Sequence, residues 1–89
     1  MTVKTPKARE DVVFRPLAEE WVLFDPRRHL VHVLNLTAAL VWTHCDGEIS
    51  VEDLIDEVAS AFPEAPARAD LVRDIDEALK RFQNEELFS

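Results

Sequence analysis

The apolar residues of this chain change period part-way along it, and that change confines the fold to strands followed by helices. Val51, Leu54, Ile55, Val58, Ala59 and Phe62 recur at i, i+3, i+4, i+7, i+8 and i+11, which is one face of a helix. The first 34 residues show short runs rich in aliphatic and aromatic side chains instead, separated by turn formers.

Three such runs are legible. Val12 to Arg15 is stopped near Pro16, because proline cannot donate to a ladder, and Glu20 to Phe24 forms the second. Asp25-Pro26-Arg27-Arg28 reads as a turn, since Asp bonds its own backbone ahead and Pro presets φ. His29 to Leu34 is then a third strand, giving an antiparallel meander. The second and third runs are apolar on both faces, which calls for cover on both. Helices from so short a chain cover one face fully and the other in part. The shortfall predicts an apolar groove or protein interface, unless the terminal arm fills it. That arm, residues 1–11, has no apolar period and reads as loose, leaving 12–89 as a single domain.

In the second half, Asn35 and Thr37 are good caps for a first helix ending at His44-Cys45, with Trp42 in the core. Gly47, the single glycine, falls where a left-handed residue is wanted. Ser50 caps the second helix, with Glu52 and Asp53 at the positive end of its dipole. Pro63 and Pro66 break the chain before a third helix over Ala67 to Gln83. Its inner stripe is Leu71, Ile75, Ala78, Leu79 and Phe82, with Val72 beside it. Asn84 is expected as a left-handed cap, and Leu87 and Phe88 are expected to fold back onto the core.

Charge and composition exclude several functions. The 89 residues carry a formal charge of −8, split as +1 over residues 1–45 and −9 over residues 46–89. The acidic half repels phosphate, which argues against nucleic-acid binding. One cysteine permits no internal disulfide, and the lack of an 18-residue apolar run argues against membrane insertion. With no signal sequence, the expected compartment is the cytoplasm. His29 and His32 lie three apart on a strand and so on opposite faces, while His44 and Cys45 point about 100° apart on a helix, consistent with its 3.6-residue turn. No metal site is expected. Paired acids such as Asp53/Glu57 and Asp70/Asp74 lie along helix surfaces, and one glycine cannot build a phosphate loop or nucleophile elbow. The residues therefore suggest a binding module without catalytic residues or cofactor.

Leu34-Asn35-Leu36-Thr37-Ala38-Ala39, then Val41-Trp42, Cys45-Asp46-Gly47, Ser50-Val51-Glu52-Asp53-Leu54 and Ala61-Phe62, together resemble the PqqD family of small peptide chaperones, over residues 12–88. The resemblance implies an α+β, winged-helix-like domain, a three-stranded antiparallel sheet followed by three helices, known as the RiPP recognition element. It also implies that a ribosomally made precursor (leader) peptide adds as a strand to the third strand, in the cleft beside the third helix. Carried onto this chain, that site is His29, Leu30, Val31, His32 and Val33 with Leu71, Val72, Ile75, Asp76 and Leu79. The partner implied is a modifying enzyme, a radical S-adenosylmethionine enzyme or, as in some of the broader PqqD-like group, a kinase-like protein related to HPr kinase. Two other readings compete. One is a winged-helix DNA-binding protein, which the four acidic and no basic residues of Val51 to Phe62 oppose. The other is a homodimer formed through the exposed strand edge.

Overall fold

The computed structural model describes residues 3–62, 64 and 67–89. Three strands, β1 (Val13–Leu17), β2 (Glu20–Asp25) and β3 (Leu30–Leu34), precede three helices, α1 (Leu36–His44), α2 (Val51–Ser60) and α3 (Arg68–Asn84). The strands make one antiparallel sheet in the order β1-β2-β3, so the expected meander followed by helices is the fold observed. The breaks expected at Pro63 and Pro66 lie outside the described residues.

Pairing register assigns each side chain to a face. Phe14, Leu23 and His32 are aligned across the sheet, as are Pro16, Trp21 and Leu34; Leu23 and Leu34 are fully buried, so this is the inner face. Val13, Phe24 and Val31 form one row of the outer face, and Arg15, Val22 and Val33 the next. Val41, Leu54, Val58 and Phe82 of the helices belong to the same buried cluster as Leu23 and Leu34, and α1 is the helix that lies against the sheet. The outer rows expose Val13, Phe24, Val31 and Val33 to solvent, so the shortfall of cover expected from the strand composition is present.

Local chemistry sets the helix ends. The Asn35 side chain accepts from the Ala38 N–H at 2.8 Å, and Ser50 Oγ accepts from the Asp53 N–H at 3.0 Å. At the end of α3 the left-handed residue is Glu86, at φ 57°, and Asn84 remains helical. The Leu87 N–H reaches the Phe82 carbonyl and the Glu86 N–H the Gln83 carbonyl, a Schellman arrangement. It buries Leu87 completely, and the gain from that burial holds a non-glycine residue in the left-handed region.

Two strand boundaries differ from expectation. β1 continues through Pro16 because β1 is an edge strand. Ala18 and Glu19 form a two-residue connection, so Leu17 and Glu20 are a bonded pair, and alternation leaves Pro16 opposite Trp21 in an unbonded one. A missing N–H costs no ladder bond there. β3 begins at Leu30, because His29 takes a left-handed φ of 54° inside the turn.

Of the opening segment, expected as a loose arm, residues 3–9 instead lie docked between the α1–α2 loop and the C-terminal residues. Thr5 N–H donates to Ile49, Ala8 N–H to Cys45 and Arg9 N–H to Leu87, while Lys7 accepts from Ser89 and Val3 from Val51. These are main-chain bonds, which is why the segment carries no apolar period to announce them. They also place the arm away from the outer sheet face.

Arg9 locks this segment in place. Its guanidinium is 7% exposed and donates to Asp11, to the fully buried Asp25 and to the Glu86 carbonyl, using all five N–H groups. The hydrogen bond from Arg9 holds the carboxyls of both Asp11 and Asp25 below the usual carboxylate range, against the opposing effect of desolvation. A folded-state value below the unfolded one means that the unfolded chain binds more protons. The stabilisation is therefore present above the ordinary value of about 4 and is lost as pH falls through the folded-state value. Followed by circular dichroism, the thermal midpoint of the parent protein is expected to drop below about pH 4. Asp25→Asn is expected to melt lower at pH 6, with the difference shrinking in acid; a difference independent of pH would count against the ion pair.

Gly47 adopts φ 79°, as its place in the sequence suggested, and a Cβ there would stand 3.2 Å from Lys7 Cβ in the docked arm. Gly47→Val is expected to cost about 1–3 kcal/mol in urea unfolding, from strain at positive φ and displacement of the arm. Equal stability would mean that the loop rearranges freely.

Candidate functional site

The hydrogen-bonding parity of the sheet identifies which main-chain groups of β3 are free. Because Arg15 bonds Val22 and Val13 bonds Phe24, the alternate residues Trp21, Leu23 and Asp25 turn their main-chain groups toward β3. Their partners are Leu34, His32 and Leu30. Val31 and Val33 therefore direct N–H and C=O away from β2, to an edge with no further strand among the described residues.

A side chain confirms this parity. Arg81, on α3, donates from Nη2 to the Val33 carbonyl at 3.0 Å, across the open side of the strand. Near the other end of β3, Arg28 donates from Nη1 to the Glu85 carbonyl at 3.2 Å and stands 3.8 Å from the Glu86 carboxylate. β3 and α3 thus stand more than 8 Å apart at their Cα atoms, and arginines link them near both ends of β3.

The α3 residues expected beside β3 are distributed otherwise. Leu71 and Ile75 belong to the buried core. Val72, Asp76 and Leu79 lie on the flank of α3 that faces α2, lining with Val51, Ile55 and Ile75 a groove of about 390 Å³. The opposite flank carries Asp74, Glu77 and Arg81, which with Asn35, Thr37 and Ala38 line a cavity of about 180 Å³ at the start of α1. Since Arg81 is the residue that reaches Val33, this second flank is the one beside β3. Leu30 to Val33 and the set Val72, Asp76 and Leu79 therefore lie on different sides of the buried α3 stripe. The overlooked residue is Arg81. Its signal was the spacing Asp74, Glu77, Arg81, a charged row beside the apolar stripe that ends in a single cation.

Of the strand residues, Val31 and Val33 point to the outer face, 61% and 50% exposed. His32 points inward, with an Nε2 that is buried and has no hydrogen-bond partner among the described residues. His29 sits in the turn. Cys45 is buried, and burial first, with the Asp46 charge second, pushes its thiol up to about 12, so it stays protonated and unreactive at neutral pH. Among the described residues no group of three His, Cys, Asp or Glu side chains could hold a metal, and no helix is long and apolar enough to cross a membrane.

Known proteins can be set against this geometry. Among solved structures, TbiB1 in complex with the TbiA(beta) leader peptide shares the fold at a TM-score of 0.73, with 20% identity over 93% of this chain and 94% of that one. No curated protein sequence matches the chain. The profile of the family described as coenzyme PQQ synthesis protein D (PqqD) matches residues 20–87, from the start of β2 to the buried Leu87. That match takes in well over half of the sequence and five of the six elements, and the chain belongs to the PqqD family.

Proposed function

We propose that this protein is a RiPP recognition element, an adaptor that captures the leader part of a ribosomally made precursor peptide as a fourth strand on β3 and presents it to a modifying enzyme. The observation that carries the reading is the pair Val31 and Val33, whose N–H and C=O groups stand unused by the sheet at an edge that has no further strand among the described residues. Strand addition draws its affinity from such main-chain bonds and its specificity from alternate side chains. Family membership supports it, and the neighbour of the same fold is a complex with a leader peptide. An added strand would also extend the exposed outer sheet face, which offers the enzyme a broad apolar surface.

The α2 surface supports an adaptor over a DNA reader, since Glu52, Asp53, Asp56 and Glu57 are all exposed on it and would face phosphate. The test is amide hydrogen exchange followed by NMR, with a synthetic peptide copied from a short reading frame adjacent to the gene. The Val31 and Val33 amides are expected to exchange readily in the free protein and to gain protection when the peptide is added. Protection that rises with protein concentration alone would identify the edge as a homodimer contact. A bound peptide that leaves both amides unprotected would place the ligand elsewhere.

A further inference from the structure

Arg81 is unusual among the cations of this acidic chain. Among the described residues, Arg9, Arg27, Arg28, Arg68 and Arg73 each have a carboxylate within 4 Å. Arg81 has none, although Glu77 and Glu85 flank it at i−4 and i+4, the spacing at which helical ion pairs form. Its guanidinium instead makes one hydrogen bond, to the Val33 carbonyl, and its remaining donors have no partner among the described residues. A guanidinium presents five N–H groups in a fork that matches a carboxylate, so four of them are uncommitted beside the strand edge.

We propose that Arg81 is a specificity-determining residue of the β3 edge, selecting peptides that carry an Asp or Glu on the side of the added strand facing α3. This rests on the strand-addition reading. In an antiparallel arrangement, the peptide residue that bonds Val33 shares the outward face of Val33, and the residues on either side of it point toward α3. One of these neighbours meets Arg81. The Val33 carbonyl has two lone pairs, so it can accept from the peptide N–H without first losing Arg81. The preference is confined to one position, because Glu77 and Asp74 lie about 6 and 10 Å back along the same flank at 1.5 Å rise per residue, and both repel a carboxylate placed further along. Arg15, the other arginine without a carboxylate partner, lies on the outer sheet face, in line with Val22 and Val33, and does not face α3.

The test uses twelve-residue random peptides displayed on phage and selected separately on the parent protein, Arg81→Glu and Val33→Pro, each first shown to be folded by thermal melting. The parent is expected to enrich Asp or Glu at one position, and Arg81→Glu to enrich Lys or Arg at that same position. A selected acidic peptide and its Gln counterpart, titrated against the parent and Arg81→Gln, are expected to show a Kd loss of about tenfold for the acidic peptide, confined to that peptide. The same consensus on parent and Arg81→Glu, or equal losses for the two peptides, would overturn the assignment. Val33→Pro separates the two claims. Peptides that need the Val33 N–H but ignore Arg81 leave strand addition standing and remove only the role of Arg81. Peptides that bind Val33→Pro as well as the parent remove strand addition, and the role of Arg81 falls with it.

Discussion

Trp42→Ala is expected to leave the protein largely unfolded. Trp42 is 6% exposed on α1, edge-to-face with Phe82 of α3 at 5.3 Å and stacked with Phe88 of the C-terminal residues at 6.4 Å. Phe82 and Phe88 complete the triangle at 6.0 Å. The indole thus joins α1 to the end of α3 and to the C-terminal residues, both far from it in sequence, and its removal leaves a cavity that none of them can close alone. Truncating a buried tryptophan costs on the order of 3–5 kcal/mol, and a domain's whole stability is about 5–15 kcal/mol, with short chains at the low end. Urea unfolding followed by far-UV circular dichroism would measure the loss. Trp21→Ala, on the half-buried end of β2, is expected to cost less. A Trp42→Ala protein with an unchanged midpoint would mean that the aromatic triangle does not hold the helices together.

A proline scan along β3 is expected to alternate with a period of two. At Val31 and Val33 the N–H points to the open edge, so proline deletes a group available to a peptide and spares the ladder. These variants are expected to stay folded and to bind a leader peptide more weakly, each lost bond costing roughly 0.5–1.5 kcal/mol. His32 bonds Leu23 across the ladder, so His32→Pro removes a bond between β2 and β3 and is expected to unfold the sheet. Thermal melting and titration calorimetry read the two effects separately. Stable His32→Pro together with unfolded Val33→Pro would invert the parity; folded Val31→Pro and Val33→Pro that bind as tightly as the parent would exclude main-chain recognition at this edge.

The elements themselves were legible from the sequence because their causes are short-ranged. A 3.6-residue stripe, a serine three residues before its N–H partner and a lone glycine after a helix each act over a turn or two. The stripe of α3 also marked Leu71, Ile75, Ala78 and Phe82 as its buried residues. It could not say which neighbour stood on either flank, because periodicity defines the direction of the core and is silent on what lies about 100° to each side. Hence Val72 and Leu79, which look like lining for a cleft beside β3, face α2 instead, and the charged flank ending in Arg81 faces the strand.

Parity, the docked arm and the ion pair belong to tertiary structure for a related reason. Which amides of β3 are free depends on the Ala18-Glu19 connection two strands away, transmitted through alternate bonding across the sheet. Arg9 meets Asp25 across 16 residues, and Arg81 meets Val33 across 48. Neither pair has a spacing that local periodicity can register. Residues so far apart in sequence come together only after the core has packed. What the sequence by itself determined was the set of elements and their inward faces, whose causes lie within a few residues; the edge chemistry was decided by how those elements pack.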